Sequence, residues 1–224
     1  MATNLFGELS VNPVQAGFGF PEPLTEKYRP RKIGDFVGLD RPKKILSNLA
    51  AKPFASAWLM VGPSGTGKTT MALALADAIP AQVHLIPSQC CNVEAIERLR
   101  HELLYMPRQG CRFHLVLCDE ADCMTVAAQN ALLSLLDSTG ALPNVIWVFT
   151  ANSTDRLEQR FISRCKTLEF SSYGLSAGVA ALLERVWNQE TDSPNRPNFA
   201  RLVKDSANNV RASLQALELA LLES

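Results

Sequence analysis

The sequence predicts an α/β fold: a doubly wound parallel sheet of five strands, followed by a small helical unit. Three observations carry that expectation. Short apolar runs alternate with segments of helical periodicity between residues 25 and 170. One run leads straight into a glycine-rich turn, GPSGTGKT at residues 62–69, and a helical segment leads out of it. From residue 171 to 224 the strand pattern stops and three helical segments remain.

Composition narrows the class. A chain of 224 residues can hold one large core and a small appendage. Hydrophobic residues make up 47% and charged ones 20%, an ordinary balance for a globular protein in water. The formal net charge is zero, so nucleic acid is attracted by a local basic face or not at all. Cys90, Cys91, Cys111, Cys118, Cys123 and Cys165 do not form two C-x-x-C pairs, so no zinc site is expected. Several fall in apolar strands as small hydrophobes, and unpaired thiols fit a reducing, cytoplasmic setting. No run reaches the roughly 18 apolar residues of a membrane span, and no basic-then-apolar leader opens the chain.

Residues 1–24 are rich in glycine and proline without periodicity, and are expected to be an extended tail. Leu5, Phe6 and Leu9 could serve there as a short docking peptide. In LTEKYRPRKIGDFVG, Pro30 and Gly34 discourage regular structure while Tyr28, Ile33, Phe36 and Val37 offer apolar surface. Two readings fit: an arm over a nucleotide base, with Tyr28 and Val37 as its wall and Arg29 beside them, or a loop packed on the domain edge. A helix over residues 41–51 would carry Ile45, Leu46 and Leu49 on one face. The first strand is the apolar run at residues 58–61, and its helix spans residues 70–79. Residues 82–86 suit a second strand. Asn92 reads as the cap of a helix whose inner stripe is Ile96, Leu99, Leu103 and Leu104. Arg98, Arg100 and Arg108 on or near it are a solvated face or a nucleic-acid contact.

Residues 113–118, FHLVLC, are apolar and too short for a helix, so they read as a central strand. A helix at residues 125–136 turns Ala128, Leu132, Leu135 and Leu136 inward. A strand at residues 145–150, a short helix at 157–162 and a strand at 166–170 complete the sheet. Segments 176–187, 198–206 and 209–222 are the three final helices.

Chemistry collects at the strand ends. GPSGTGKT fits the phosphate-loop pattern of P-loop NTPases throughout, from Gly62, Pro63, Ser64, Gly65, Thr66 and Gly67 to Lys68, Thr69 and the following Thr70. Backbone N–H groups and the helix N-terminus there suit an anion, Lys68 reaches β- and γ-phosphates, and the Thr69 hydroxyl suits Mg²⁺. Asp119 at a buried strand tip needs a positive neighbour, which a Mg²⁺ ion would supply, and Glu120 can polarise an attacking water. Asn152 ends the next strand, where it could orient that water or cap a turn. Arg211 stands in the first turn of the last helix, where the dipole disfavours a cation by roughly 0.3–1 kcal/mol. An anion such as a phosphate would explain it.

EKYRP at residues 26–30 and the triplet Ser163-Arg164-Cys165 now take on meaning. With GPSGTGKT, DEAD at residues 119–122, Thr150-Ala151-Asn152 and Arg211, they resemble the ATPase part of clamp-loader subunits in the AAA+ superfamily. The similar members are small subunits of replication factor C and the bacterial gamma and delta-prime type, over residue 24 to the C-terminus. The resemblance implies ATP and Mg²⁺ as cofactors and a helical lid at residues 171–224. It makes Asn152 the first sensor, Arg211 a second sensor at the γ-phosphate, and Arg164, rather than Arg160, an arginine finger lent to a neighbouring subunit. It also implies partner AAA+ subunits in a homo- or hetero-oligomer, DNA, and a sliding clamp.

Departures accompany the likeness. Members carry a collar domain after the lid, and the sequence ends at Ser224 before such a segment. Leu133 and Ser134 replace basic residues of replication factor C small subunits, and SQCCNV at residues 88–93 replaces a charged stretch. Two other functions therefore stay open: an AAA+ ATPase remodelling a different protein–DNA complex in recombination, repair or mobile-element regulation, and a weakly hydrolysing scaffold subunit. Intact Lys68, Asp119 and Glu120 argue against the last.

Overall fold

The computed structural model describes residues 22–137 and 142–223. A short helix α1 (Leu24–Lys27) and a 3-10 turn at Ile33–Asp35 precede helix α2 (Asp40–Ala51). Strand β1 (Ser56–Val61), helix α3 (Lys68–Ala78), strand β2 (Ala81–Pro87) and helix α4 (Val93–Leu103) follow. Next come β3 (Phe113–Asp119), α5 (Val126–Leu136), β4 (Val145–Ala151), α6 (Gln159–Ile162) and β5 (Lys166–Glu169). Helices α7 (Ser176–Glu190), α8 (Phe199–Asp205) and α9 (Val210–Leu222) close the described chain.

The five strands form one parallel sheet in the order β2-β3-β4-β1-β5. Side chains alternate across it, so neighbouring residues on one strand enter opposite cores. Leu115, Leu117, Ile146 and Val148 join Leu46, Leu49, Met71 and Leu75 of α2 and α3 on one face. Val116, Cys118, Trp147 and Phe149 join Ile96, Leu99, Ala128, Leu132 and Phe161 on the other. Both faces are covered, which is why these strands read as unbroken apolar runs rather than alternating ones. Because all strands run the same way, β3, β4 and β1 deliver their carboxyl ends side by side at one edge.

A third core holds the C-terminal helices together, built on Val179, Leu183, Trp187, Val203 and Leu217. Leu24, Tyr28 and Val37 belong to it, so the expected tail ends too late: Leu24 is buried in α1, whose backbone N–H donates to Glu218 Oε1 of α9 at 3.0 Å. The rest of that tail, including Leu5, Phe6 and Leu9, lies outside the described residues. Asn92, Asn198 and Asn209 each cap the next helix by accepting a backbone N–H.

Three expectations need correction. Leu104 is exposed, because α4 ends at Leu103 and the chain turns away before a further turn could face the sheet. Leu135 is only partly buried against the core. Of the cysteines, Cys118 alone lies in a strand; Cys91 is buried after a 3-10 turn, and Cys90 and Cys123 are exposed. Arg98 and Arg100 face acids of their own helix, Glu94 and Glu97, each at 3.8 Å.

One polar chain is built into the β2 edge. His114 Nε2 lies 3.0 Å from the Tyr105 carbonyl, which can only accept, so that nitrogen carries hydrogen. His114 Nδ1 then accepts from His84 Nε2 at 2.9 Å. A further proton can go only to His84 Nδ1, 3.5 Å from Glu102 of α4. Burial, followed by His114 and Arg108, pushes the His84 pKa down to about 4. The folded protein thus resists a proton that the unfolded chain takes up near pH 6.5. Stability contributed here is complete above pH 6.5 and is lost as pH falls towards 4. Urea unfolding should weaken by roughly 2 kcal/mol between pH 6.5 and 5, and His84→Phe should flatten that slope. An equal slope in the variant would assign the effect elsewhere.

Candidate functional site

The glycine-rich turn joins β1 to α3. Gly65 and Gly67 have φ of +75° and +89°, a region where side chains are strained, so the turn needs glycine at both. Thr66 Oγ1 donates to the Pro63 carbonyl at 2.8 Å and closes the loop on itself. Lys68 opens α3 and is buried. Its Nζ donates to the carbonyls of Gly62 (2.6 Å) and Pro63 (2.9 Å) and to Asn152 Oδ1 (3.2 Å). Burial lowers its pKa; Asp122, Asp119 and Glu120 oppose that shift, and Arg211 adds to it. An ammonium in this position is a point charge at the mouth of an anion-sized turn.

The carboxylates stand opposite. Thr69 Oγ1 donates to Asp119 Oδ1 at 2.7 Å, linking α3 to the tip of β3. Thr150 Oγ1, on β4, donates to the same oxygen and accepts from the Glu120 N–H at 3.0 Å. Glu120 has φ +56°, an uncommon left-handed conformation for a non-glycine residue, and this bend ends the strand. Asp122 Oδ2 accepts from the Asn152 N–H at 3.2 Å, while Asp122 Oδ1 is buried without a partner among the described residues.

Around these groups lies a cavity of about 180 Å³, lined by Ser64, Gly65, Gly67, Lys68, Thr69 and Thr70 on one side. Asp119, Glu120, Thr150, Asn152 and Arg211 line the other. A larger cavity of about 710 Å³ shares Gly65, Gly67, Thr70 and Arg211 with it. That cavity adds Tyr28, Arg29, Val37 and Thr66, with Leu175, Leu182 and Leu214 from the helical unit. The two are compartments of one cleft, a polar end sized for phosphates and a mixed end sized for a nucleoside. Arg29 sits at the junction, with Nε donating to Thr70 Oγ1 at 3.3 Å and Nη1 paired with Glu26 at 3.1 Å. Tyr28 donates its hydroxyl to Glu190 of α7, and burial first, then that carboxylate, pushes its pKa up to about 12.

Gly62 and Pro63 hold Lys68 by their carbonyls, and every other candidate cofactor, metal and in-subunit residue lines this cleft. Arg164 does not. It lines neither compartment; its Nε and Nη2 donate to the Asp137 carboxylate at 2.6 and 3.4 Å, and Nη1 to the Arg160 carbonyl at 2.7 Å. Arg160 lies 3.9 Å from Glu158.

Sequence reasoning gave no role to Thr150, Asp122 or Gln129. Gln129 is fully buried; its amide donates to the Arg156 carbonyl at 3.1 Å and accepts from the Glu158 N–H at 2.8 Å, tying α5 to the entrance of α6. Its signal was a glutamine next to Ala128 on the apolar face of a helix. That of Thr150 was weaker, a hydroxyl at the end of an apolar run.

A parallel sheet with a phosphate loop after β1 and an acidic pair at the end of β3 defines a P-loop nucleotide-binding protein. The profile of the AAA family, "ATPase family associated with various cellular activities", matches residues 58–173, and the chain belongs to that family. Replication factor C small subunit 1 of Pyrobaculum islandicum is 35% identical over 153 residues, 65% of this chain and 46% of that protein. Replication factor C subunit 3 of Blastobotrys adeninivorans is 29% identical over 203 residues, 88% and 59% of the two chains. The chain thus spans about half the length of the curated relatives it matches. In fold it is similar to a mutant of Thermotoga maritima RuvB, with a TM-score of 0.70 at 17% identity over 88% of this chain and 68% of that one.

Thr150→Val keeps the shape of the β4 tip but strips a donor from Asp119 and an acceptor from the Glu120 N–H. We expect Mg·ATP affinity to hold while turnover falls about tenfold, a loss near 1.4 kcal/mol in the transition state. Equal turnover of variant and parent would show that the hydroxyl only fills space.

Proposed function

We propose that the chain binds Mg·ATP in this cleft and hydrolyses it against a neighbouring subunit, as a clamp-loader-like ATPase of DNA replication. The observation that carries the reading is the meeting of Lys68, the Thr69–Asp119 pair, Glu120, Asn152 and Arg211 around one phosphate-sized cavity. Thr69 Oγ1 and Asp119 Oδ1 are hard oxygens within hydrogen-bond distance, a donor pair that fits Mg²⁺ held otherwise by phosphates and water. Mg²⁺ bound there would supply charge neutralisation at the β- and γ-phosphates.

The chain's own groups divide the work. Lys68 and the loop N–H groups hold the phosphates, and Tyr28, Val37 and the leucines of the larger cavity hold the base. Glu120 takes the proton from water, and Asn152, held by Lys68 and Asp122, orients that water. Arg211 meets the γ-phosphate from the lid. Arg164 lies outside its own cleft, which supports a role at the site of an adjoining subunit. The sequence relatives named replication factor C favour a clamp-loading setting, with other AAA+ subunits, DNA and a sliding clamp as partners.

DNA-stimulated phosphate release is the test. Glu120→Gln should keep Mg·ATP binding and lose at least about 100-fold in turnover. Arg164→Ala should lose about 10³-fold or more in the assembled complex while the isolated chain binds ATP as before. Turnover insensitive to Arg164→Ala would remove the shared site. A mass in solution that stays monomeric with a non-hydrolysable ATP analogue, with and without partner subunits, would remove the assembly. Failure to capture a sliding clamp would leave the ATPase and move its client elsewhere.

A further inference from the structure

Asn209 ties the helical unit to the glycine-rich turn. Its Oδ1 accepts from the Ala212 N–H at 3.1 Å and caps α9, the helix that carries Arg211. Its Nδ2 donates to the Ser64 carbonyl at 2.9 Å, inside the glycine-rich turn. These two bonds need opposite polarity from one side chain, and asparagine has both while aspartate has only acceptors. The contact is tight: a Cβ on Gly65 would stand 2.0 Å from Asn209 Oδ1. Gly65 occupies a position that the phosphate-loop pattern leaves open, so the approach of Asn209 is a second reason for glycine there, beside its positive φ.

The chain delivers Asn209 by an uncommon route. Ala207 and Asn208, just before it, both have positive φ, +51° and +59°. Two successive non-glycine residues in that region persist only where surrounding bonds hold them. Asn208 N–H donates to the Val203 carbonyl and Asn209 N–H to the Ser206 carbonyl, which fixes the turn against the end of α8. Ser213, buried in α9, returns its hydroxyl to the Asn209 carbonyl at 2.8 Å. The amide is therefore held from behind and aimed at the loop.

We propose that Asn209 is a positioning residue that sets Arg211 against the phosphate loop, so that the lid and the loop read the γ-phosphate as one unit. This rests on the ATP-site reading above. The peptide at Ser64–Gly65 lines the small cavity together with Arg211, and the bond from Asn209 fixes the separation of the two. A nucleotide that lacks the third phosphate does not use that spacing. Asn209 thereby tunes the preference for triphosphate over diphosphate rather than affinity in general.

Asn209→Asp separates the two bonds, since a carboxylate still caps α9 but cannot donate to the Ser64 carbonyl. Asn209→Ser also caps, is too short for the loop and adds no charge. Binding of a fluorescent non-hydrolysable ATP analogue and of the matching ADP, with Mg²⁺, should be measured by titration beside a thermal melt. Both variants should lose about tenfold in the ATP-analogue-to-ADP affinity ratio with little change in melting temperature. In an Arg211→Ala background, Asn209→Asp should change the ratio no further. Equal weakening of both nucleotides, or an unchanged ratio, would overturn the role of Asn209 and leave the ATP site standing. A parent protein that binds neither nucleotide would overturn the site itself, and the tie with it.

Discussion

One carboxylate oxygen fastens the catalytic edge together. Asp119 Oδ1 accepts from Thr69 on α3 and from Thr150 on β4, while Asp119 itself ends β3. Three elements that share no covalent neighbourhood are thus held to one point, at the place where the sheet presents its strand ends. A carboxylate with restricted access to water is costly unless donors meet it, and two hydroxyls do so here. The arrangement also fixes what comes next. The Thr150 hydroxyl takes the Glu120 N–H, and the left-handed bend at Glu120 follows. Glu120 and Asp119 therefore owe their relative placement to a threonine on a neighbouring strand.

That threonine shows where sequence legibility ends. The middle of the sheet was readable because β1, β3 and β4 are buried on both faces, which leaves three apolar runs of strand length with little to confuse them with helix. The phosphate loop was readable because its chemistry is local: glycines, lysine and threonine act within eight consecutive residues. Thr150 acts across strands, and within VIWVFTA it looks like any β-branched strand residue until β3 and β4 are paired in register. Asn209 was read only as the start of the last helix, although its capping bond reaches just three residues on. Its donor half points to Ser64, 145 positions away, and no local pattern encodes that. Leu24 was misread for the opposite reason. Four residues of helix after Pro23 look like tail, and only packing against the helical unit makes Leu24 core.

The helical unit meets the rest of the chain around the larger compartment as well as the smaller one. Tyr28 lines the larger cavity and donates its hydroxyl to Glu190 at the end of α7, where Lys27 also pairs with that carboxylate at 2.8 Å. The hydrogen bonds from Lys27 and Tyr28 hold the Glu190 carboxyl below its usual range, so the acceptor stays charged at neutral pH. Tyr28, with its pKa raised, stays a donor. Tyr28 and Val37, which wall the larger compartment, therefore pack on the helical unit, while Ile33 and Phe36 of the same segment pack on the core beneath the sheet. A motion of that unit relative to the sheet would open both compartments at once.

Arg164 is the counterpart of these fixed contacts. Its partner Asp137 is nearly half exposed, and the pair sits where water screens it. Exposed pairs of this kind contribute about 0–1 kcal/mol, since attraction in high dielectric is offset by solvation and side-chain entropy. Three of the five guanidinium N–H groups are engaged, two by Asp137 and one by the Arg160 carbonyl. Among the described residues, one N–H on each Nη remains for another acceptor. A polyphosphate carries several times the charge of Asp137 and would meet the guanidinium in a site closed by two subunits, where the same bond is worth more. Under the shared-site reading, the isolated subunit keeps its cation oriented at little cost. A neighbour's nucleotide would then recruit it without breaking anything that holds the fold.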